Sequence, residues 1–255
     1  MKKGYAVITG ASSGIGTEFA KRLAKEGYPL VLVARRKERL EKLAQELDTE
    51  CIIMTADLSD MDECKRMMQE LDSVEIEVFV NNAGFGYCGE TLTIETETEL
   101  NMIDLNVKAM HLLAKLALVK MVEHNKGYIL NVASSAGLLP AGPYMSAYYA
   151  TKAYVTSFTR GIALELKDKG SKVYVGCLCP GPVDTEFNDV ANVKFSVGAL
   201  TAEYVAEKGI KGLLAGKKCV TPGFLIKCTR VLGKLMPDAL SARFVYNIQE
   251  KKSNT

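Results

Sequence analysis

The chain has 255 residues, of which 48% are hydrophobic, and its formal net charge is +2. This length and apolar content suffice for one large α/β domain with a sizeable core. Basic and acidic residues are mixed along the chain, which argues against a nucleic-acid-binding face. No apolar run approaches ~18 residues, and the N-terminal run is too short for a signal peptide, so we expect a cytoplasmic protein.

Short apolar runs alternate with longer runs of helical periodicity along residues 5–180. Strands are predicted at 5–9, 30–34, 51–56, 74–81, 127–134 and 172–180. Helices are predicted at Gly14–Glu26, Lys37–Leu47, Met61–Leu71, 97–124 and Tyr144–Lys167. Continuous apolar strands separated by helices indicate an α/β fold with a doubly wound parallel sheet and helices on both faces. Ligands bind such sheets at the carboxyl ends of the strands, and no linker or repeat divides residues 1–255.

A glycine-rich turn, TGASSGIG at 9–16, follows the first predicted strand and opens the first helix. Glycines at 10, 14 and 16 allow a tight turn and a close approach of the backbone to a pyrophosphate. The helix behind the turn offers free N–H groups to such an anion. The alternative interpretation is a tight strand-to-helix turn without a ligand.

Seven cysteines are present, and their spacing shows no disulfide framework. Cys177 and Cys179 lie two apart in a predicted strand, so both thiols point to the same side. A zinc site would need further ligands, and the only histidines are His111 and His124. Buried thiols in a reducing cytoplasm are therefore the preferred interpretation, and we expect no metal.

Several motifs in order resemble the short-chain dehydrogenase/reductase family. They are the glycine turn, NNAG at 81–84, a serine ending ILNVAS, the Tyr-x-x-x-Lys of YYATK at 148–152, and PG at 180–181. The resemblance runs from about residue 5 to 187, nearly three quarters of the chain. It implies a Rossmann-like sheet, usually with a seventh strand, for which 218–222 is the candidate.

The stretch SAYYATKAYV, at 146–155, is the candidate catalytic helix. Tyr148 and Tyr149 both lie one helical turn before Lys152, whose ammonium would lower the pKa of a phenol from its ordinary value of about 10. Spacing alone leaves either tyrosine open, or a tyrosine-rich packing helix. The family pattern selects Tyr148 as acid/base and Lys152 as its tuner and ribose ligand.

The resemblance completes the catalytic group with Ser134 and Asn106. Ser134 ends the fifth predicted strand, where its hydroxyl could hold a carbonyl oxygen; the adjacent Ser135 should face the other way. Asn106 matches the family asparagine whose helix distortion holds a water in the proton relay. A mid-helix asparagine can also be a solvated or capping residue.

In the family that the chain resembles, the residues after the second strand select the cofactor, and here they predict NADP(H) rather than NAD(H). An acid there would accept from the 2′-hydroxyl of NAD, whereas Arg35, Arg36 and Arg39 suit a 2′-phosphate. Basic residues at a helix N-terminus oppose the helix dipole, which favours a bound anion over a merely solvated helix start. The full expected cofactor set is Gly10, Ser12, Ser13, Gly14, Ile15, Gly16, Arg35, Arg36, Arg39, Asp57, Leu58, Asn82, Ala83, Gly84, Tyr148, Lys152, Pro180, Gly181, Val183 and Thr185.

The last third of the chain departs from the family pattern. Residues 188–222 are expected to form the substrate loop and the last strand. Residues 223–255 are expected to add a helical extension with two short amphipathic helices split by Pro237. Its apolar stripes contain Leu225, Leu232, Leu235, Leu240 and Phe244. We favour packing on the domain or on a partner subunit over a lid or a membrane-surface contact.

Together these features predict an oxidoreductase that uses NADP(H). It would transfer a hydride between nicotinamide and a carbonyl or secondary alcohol of a small hydrophobic substrate, as a homodimer or homotetramer. One alternative is an NADP(H)-binding redox sensor, which would not need the serine, tyrosine and lysine together. Another is a sugar-nucleotide epimerase or dehydratase, which typically has a different glycine spacing and a longer substrate domain.

Overall fold

The structure, a computed structural model, describes residues 3–192, 199–223, 226–227 and 237–253. The strands are β1 Tyr5–Thr9, β2 Leu30–Ala34, β3 Cys51–Thr55, β4 Ile76–Asn81, β5 Tyr128–Val132, β6 Tyr174–Leu178, β7 Val183–Asp184, β8 Leu200–Thr201 and β9 Cys219–Val220. The helices are α1 Gly14–Lys25, α2 Lys37–Glu46, α3 Met61–Glu70, α4 Thr96–Ile103, α5 Met110–Glu123, α6 Ser146–Asp168, α7 Phe187–Val190, α8 Ala202–Leu214 and α9 Asp238–Ser253.

Seven strands form one parallel sheet in the order β3-β2-β1-β4-β5-β6-β9. The strand order reverses between β1 and β4, so the chain leaves a crevice at their carboxyl ends. This arrangement confirms the predicted doubly wound, Rossmann-like sheet with seven strands. A separate pairing of β7 with β8, in the predicted substrate region, was not foreseen.

Alternate strand residues face two different helical layers. Ile8 and Leu32 belong to the core beneath α1, α2 and α8, whereas Val7 and Val33 belong to the core beneath α3, α5 and α6. This two-residue alternation follows from the pleat of a strand. Because both faces are covered, the strands are mostly apolar, as the sequence indicated.

Two predicted helices differ from the structure by more than a one-residue shift of an end. The single helix predicted at 97–124 is interrupted by a π-helical segment, Asp104–Ala109, between α4 and α5. The helix predicted from Tyr144 begins only at Ser146, because Tyr144 has a φ of +63° and cannot join a right-handed helix.

The extension is described only in part. Leu225, Leu232 and Leu235 lie outside the described residues. In α9, Ser241 and Val245 are buried, whereas Leu240 and Phe244 are each 58% exposed. Leu240 and Phe244 therefore do not pack on this domain, because the face that carries Val245 turns inward; their packing on a partner subunit stays a prediction. Within the described part of the chain, no helix is long and apolar enough to cross a membrane.

Candidate active site

The turn between β1 and α1 is shaped for close approach of a ligand. Gly10 and Gly14 have φ values of +67° and +54°, which favour glycine. A side chain at Gly16 would place its Cβ only 2.1 Å from the Gly10 carbonyl oxygen. The first turn of α1 carries no acidic residue, and the N-cap Ser13 makes no side-chain capping bond. The N–H groups of α1 can therefore receive an anion, and the cradle fits the pyrophosphate of a dinucleotide. Ile15 anchors the turn against the core.

The NNAG turn after β4 is tied to the end of β1. The backbone N–H groups of Asn82 and Ala83 donate to the Thr9 hydroxyl at 2.9 and 3.0 Å. The Asn82 amide also donates to the Thr9 carbonyl at 2.9 Å. A Cβ at Gly84 would lie 2.7 Å from Asn106 Oδ1 and 3.3 Å from Lys152 Nζ. The turn thus runs from the glycine loop to the catalytic group, and sequence reasoning missed the role of Thr9 in holding it.

Two of the arginines after β2 are hydrogen-bonded to polar side chains from other parts of the chain. Arg36 donates to the Ser12 hydroxyl at 3.2 Å and to the carboxylate of Glu186 at 3.0 Å. Arg39 donates to the same carboxylate at 2.6 Å. Both arginines hold the pKa of Glu186 below its ordinary value. No local sequence pattern indicates this contact, because Glu186 lies 150 residues after Arg36.

Asp57 lies at the end of β3, beside the arginines. Its carboxylate accepts from the Ser59 hydroxyl at 2.7 Å and is 3.9 Å from Arg35. Burial tends to raise the pKa of Asp57, but the bonds from Ser59 and the charge of Arg35 outweigh it and lower the pKa. Leu58 is buried beneath this loop. The three predicted residues Arg35, Asp57 and Leu58 therefore share one edge of the crevice.

Asn106 lies inside the π-helical segment, where the extra residue per turn directs its side chain inward. Its amide donates to the Phe85 carbonyl at 2.8 Å and to the Thr151 hydroxyl at 3.2 Å. Its side-chain oxygen accepts from the Phe85 N–H at 3.1 Å. Asn106 is therefore a buried clamp between the loop after β4 and α6, rather than a solvated residue.

Three of the predicted catalytic residues converge at the carboxyl ends of β5 and β6. Tyr148 is hydrogen-bonded with Ser134. Lys152 lies one turn further along α6, with Nζ 5.8 Å from the centre of the Tyr148 ring, and donates to the Val132 carbonyl at 3.1 Å. Ser134 also accepts from the Ala136 N–H at 3.1 Å, which orients its hydroxyl.

The pKa values in this group differ from the simple sequence expectation. Burial raises the pKa of Tyr148 to about 12, and the bond with Ser134 lowers it only in part. Burial also lowers the pKa of Lys152 to about 8. The expected net lowering of the tyrosine pKa by the lysine is not seen, because desolvation penalises the charged form of both groups.

Tyr149 has a different environment from Tyr148. It is half-buried, and its ring lies beneath Gly142, where a Cβ would come within 2.2 Å of the ring carbons. Ser134 acts on the phenol of Tyr148, the tyrosine that the family pattern selects, and lowers its pKa in part against the rise caused by burial.

An apolar wall surrounds the phenol of Tyr148. The wall consists of buried Cys88, Met102, Ala136, Met145 and Ala191, with Phe85, Tyr87, Tyr144, Tyr149 and Phe187 packed against them. The ring centres of Tyr148 and Phe187 are 5.6 Å apart. Tyr144 contacts Tyr246 of α9, with 3.3 Å between the hydroxyl oxygens. The described part of the extension therefore adjoins the loop that precedes the catalytic helix.

The segment after β6 lies over the glycine turn. The Pro180 carbonyl accepts from the Ser135 N–H at 2.7 Å, which fixes the segment beside Ser134. A Cβ at Gly14 would lie 3.1 Å from the Thr185 methyl carbon, so Thr185 stands directly above the turn. Val183 is buried in β7. A Cβ at Gly181 would lie 2.6 Å from the end of the Ile226 side chain, which would have to shift to admit it.

Comparison with known proteins agrees with this geometry. The family model described as "short chain dehydrogenase" matches residues 4–194. A very-long-chain 3-oxoacyl-CoA reductase from Anas platyrhynchos is 35% identical over 200 residues, covering 75% of this chain and 63% of that protein. The 17-beta-hydroxysteroid dehydrogenase type 3 of Mus musculus is 32% identical, covering 83% of this chain and 70% of that protein. The chain spans less than two thirds of the length of several curated relatives that it matches.

Solved structures resemble the chain over almost its whole length. A short-chain dehydrogenase from Sphingobium yanoikuyae in complex with NADPH has a TM-score of 0.81 and 29% identity, covering 93% of this chain and 98% of that one. A short-chain dehydrogenase/reductase from Burkholderia phymatum in complex with NAD has a TM-score of 0.82 and 26% identity, covering 91% and 92%. On the match over residues 4–194, with the fold and motifs described above, the chain belongs to the short-chain dehydrogenase family of oxidoreductases.

Proposed function

We propose that residues 1–255 form one catalytic domain that uses NADP(H) to interconvert a carbonyl and a secondary alcohol of a small hydrophobic substrate. The observation that carries the proposal is the buried Tyr148 hydroxyl, which is bonded with Ser134 and lies one helical turn from Lys152. A phenol, a hydroxyl and an ammonium at the crevice of a nucleotide-binding sheet are what carbonyl reduction requires.

The nicotinamide ring, when bound, supplies or accepts the hydride. Tyr148, with its pKa raised to about 12, stays protonated at neutral pH and can donate its proton to a carbonyl oxygen. The Ser134 hydroxyl donates a second hydrogen bond that orients that oxygen. Lys152 is the proposed ribose ligand, and Asn106 is proposed to hold the water of the proton relay. In the oxidative direction Tyr148 must first lose its proton, so its high pKa favours reduction near neutral pH.

The NADP(H) preference is supported by the cluster of Ser12, Arg36 and Arg39. The guanidinium groups of Arg36 and Arg39 already converge on one anion, the carboxylate of Glu186, and Arg36 also donates to the Ser12 hydroxyl. A 2′-phosphate would offer more acceptor oxygens and more charge to the same donors. The glycine turn, Asp57, the NNAG turn and the segment with Pro180 and Thr185 would hold the rest of the dinucleotide.

A hydrophobic substrate is supported by the apolar wall around Tyr148. The names of two relatives given above indicate an acyl-CoA substrate and a hydroxysteroid substrate. Both of these substrate classes carry large apolar portions. Residues 188–222 are proposed as the substrate loop and last strand, and 223–255 as an extension that borders the pocket. Its exposed Leu240 and Phe244 would face another subunit in preference to a membrane.

A homo-oligomer in the cytoplasm is part of the same proposal. Apolar side chains are exposed on the outer helices α5 and α6, at Val119, Val122 and Leu164, where a second copy could cover them. The seven cysteines have no spacing typical of a disulfide framework, which suits a reducing compartment. Size-exclusion chromatography with light scattering tests assembly, and a monomer at working concentration would contradict it.

The proposal is tested by following NADPH and NADH oxidation across a panel of carbonyl compounds. The panel includes steroid ketones, 3-oxoacyl thioesters, bulky aryl ketones and small aldehydes. We expect turnover of a hydrophobic ketone with NADPH and much weaker turnover with NADH. A protein that binds NADPH but turns over no carbonyl would favour the redox-sensor alternative instead.

A further inference from the structure

Three cysteine thiols come together at one edge of the sheet. Cys177 and Cys179 lie on the same face of the chain at the end of β6, and Cys219 in β9 is the direct neighbour of Cys177 in the parallel register. The Cys179 sulfur is 3.9 Å from that of Cys177 and 3.8 Å from that of Cys219. All three sulfurs lie within 4.8 Å of one another. The third thiol is 40 residues away in sequence, which is why the C-x-C pair alone did not indicate a site.

We propose that Cys177, Cys179 and Cys219 form a binding site for a thiophilic d¹⁰ metal ion, with Cu(I) as the best match. Three sulfurs about 2.3 Å from an ion in a trigonal plane are about 4.0 Å apart, close to the spacing that the fold already provides. Thiolates select soft ions such as Cu(I) and Zn²⁺. Among the described residues, no fourth His, Cys, Asp or Glu joins the group, and three ligands suit Cu(I) better than tetrahedral Zn²⁺.

Polar groups beside the three thiols can accommodate the negative charge of a metal–thiolate site. A guanidinium nitrogen of Arg160 lies 3.9 Å from the Cys219 sulfur and can offset negative charge on the thiolates. The Thr156 hydroxyl lies 4.0 Å from the Cys179 sulfur. Cys177 and Cys179 are fully buried, whereas Cys219 is partly exposed in the edge strand. An ion can therefore enter from the side of β9.

Binding is a ligand exchange without electron transfer. Three S–H bonds lose their protons to solvent, three metal–sulfur bonds form, and Cu(I) remains Cu(I). The bound ion would join β9, which has only two residues, to β6. Because binding stabilises the native state, metal should raise the unfolding temperature.

The test is a competition between the reduced full-length protein and a chromophoric Cu(I) chelator under anaerobic conditions. We expect wild type to withdraw one equivalent of Cu(I). Cys179→Ala and Cys219→Ser should lose that equivalent, whereas the matched control Cys64→Ala, another fully buried thiol, should keep it. Thermal melts identify which variants are folded. If Cys179→Ala does not fold, loss of Cu(I) binding is judged from Cys219→Ser, whose cysteine is partly exposed.

X-ray absorption at the copper edge provides the second measurement. Three sulfur neighbours per copper are expected. The proposal is overturned if wild type withdraws no copper, if Cys219→Ser withdraws as much as wild type, or if the copper has nitrogen or oxygen neighbours in place of three sulfurs.

Discussion

The ammonium nitrogen of Lys152 lies 5.8 Å from the centre of the Tyr148 ring, and both groups are almost completely buried. Burial disfavours the charged form of each group, so the native state is penalised for holding Lys152 as an ammonium at neutral pH. The native fold nevertheless keeps a lysine here and binds it to the Val132 carbonyl at 3.1 Å. A lysine that is costly to bury and is held in place by the fold indicates a functional site.

The first prediction concerns the proton donor. Tyr148→Phe removes the phenolic proton and leaves the ring, so NADPH-dependent carbonyl reduction should fall by about 10²–10⁴-fold while NADPH affinity is unchanged. Steady-state rates and fluorescence titration of NADPH measure the two effects. Tyr149→Phe is the matched control and should stay close to wild type. A reversed pattern would show that Tyr149 is the acid.

The second prediction concerns pH and stability. Burial lowers the pKa of Lys152 from 10.5 to about 8, so between these values the unfolded chain binds a proton that the native state has released. Stability therefore rises with pH across this window, by up to about 3 kcal/mol from this one group. The check is the unfolding free energy from urea titrations at pH 8 and pH 10, for wild type and for Lys152→Met. The variant has no titrating group at position 152, so its stability should not show this increase. Equal pH dependence in both proteins would mean that Lys152 keeps its ordinary pKa.

The third prediction concerns Glu186, which occupies the arginine pair proposed for the 2′-phosphate. Glu186→Gln removes a competing charge, so NADPH should bind about two- to fivefold more tightly, the range of an exposed ion pair. NADH affinity should not change, because NADH has no 2′-phosphate. Isothermal titration with both cofactors measures this. Weaker NADPH binding by the variant would show that Glu186 helps to hold the cofactor.

The fourth prediction concerns the π-helical segment. Asn106→Asp keeps the shape but replaces the amide that donates to the Phe85 carbonyl at 2.8 Å with an acceptor. Leaving that carbonyl without its donor should cost about 1–3 kcal/mol of unfolding free energy. Asn101→Asp, on the exposed face of α4, is the control and should have little effect. Equal stability of Asn106→Asp and wild type would mean that the clamp contributes nothing.

The fifth prediction concerns the extension. Val245 is buried in α9 and its neighbour Phe244 is exposed. Val245→Asp should lower the unfolding temperature clearly, because burial of a valine side chain is worth roughly 1.5–3 kcal/mol. Phe244→Asp should leave the monomer fold intact and weaken self-association if the helix faces a second subunit. Differential scanning calorimetry and light scattering separate the two effects, and insensitivity of stability to Val245→Asp would contradict the packing of α9.

The sheet could be predicted from sequence because each strand is an apolar run closed by a local signal, such as the turn at Gly10 and Gly14. A tyrosine beside Lys152 could be predicted because residues three and four apart share a helix face, whereas the choice of Tyr148 over Tyr149 came from the family pattern. The contacts of Arg36 with Glu186, and of Cys179 with Cys219, join residues far apart in sequence and have no local pattern. The direction of the Tyr148 pKa depends on burial, which spacing does not reveal. No local signal shows which face of α9 turns inward, because both the face with Val245 and the face with Leu240 and Phe244 are apolar.

The most direct test of the central claim is the fate of the hydride. NADPH deuterated at the reactive C4 position is incubated with the enzyme and a ketone from the active class, and the alcohol is analysed by mass spectrometry and NMR. Our account predicts one deuterium at the carbinol carbon with wild type and almost no labelled alcohol with Tyr148→Phe. An alcohol without deuterium at that carbon from the wild-type reaction, with either C4 label, or full labelling by Tyr148→Phe at the wild-type rate, would contradict it.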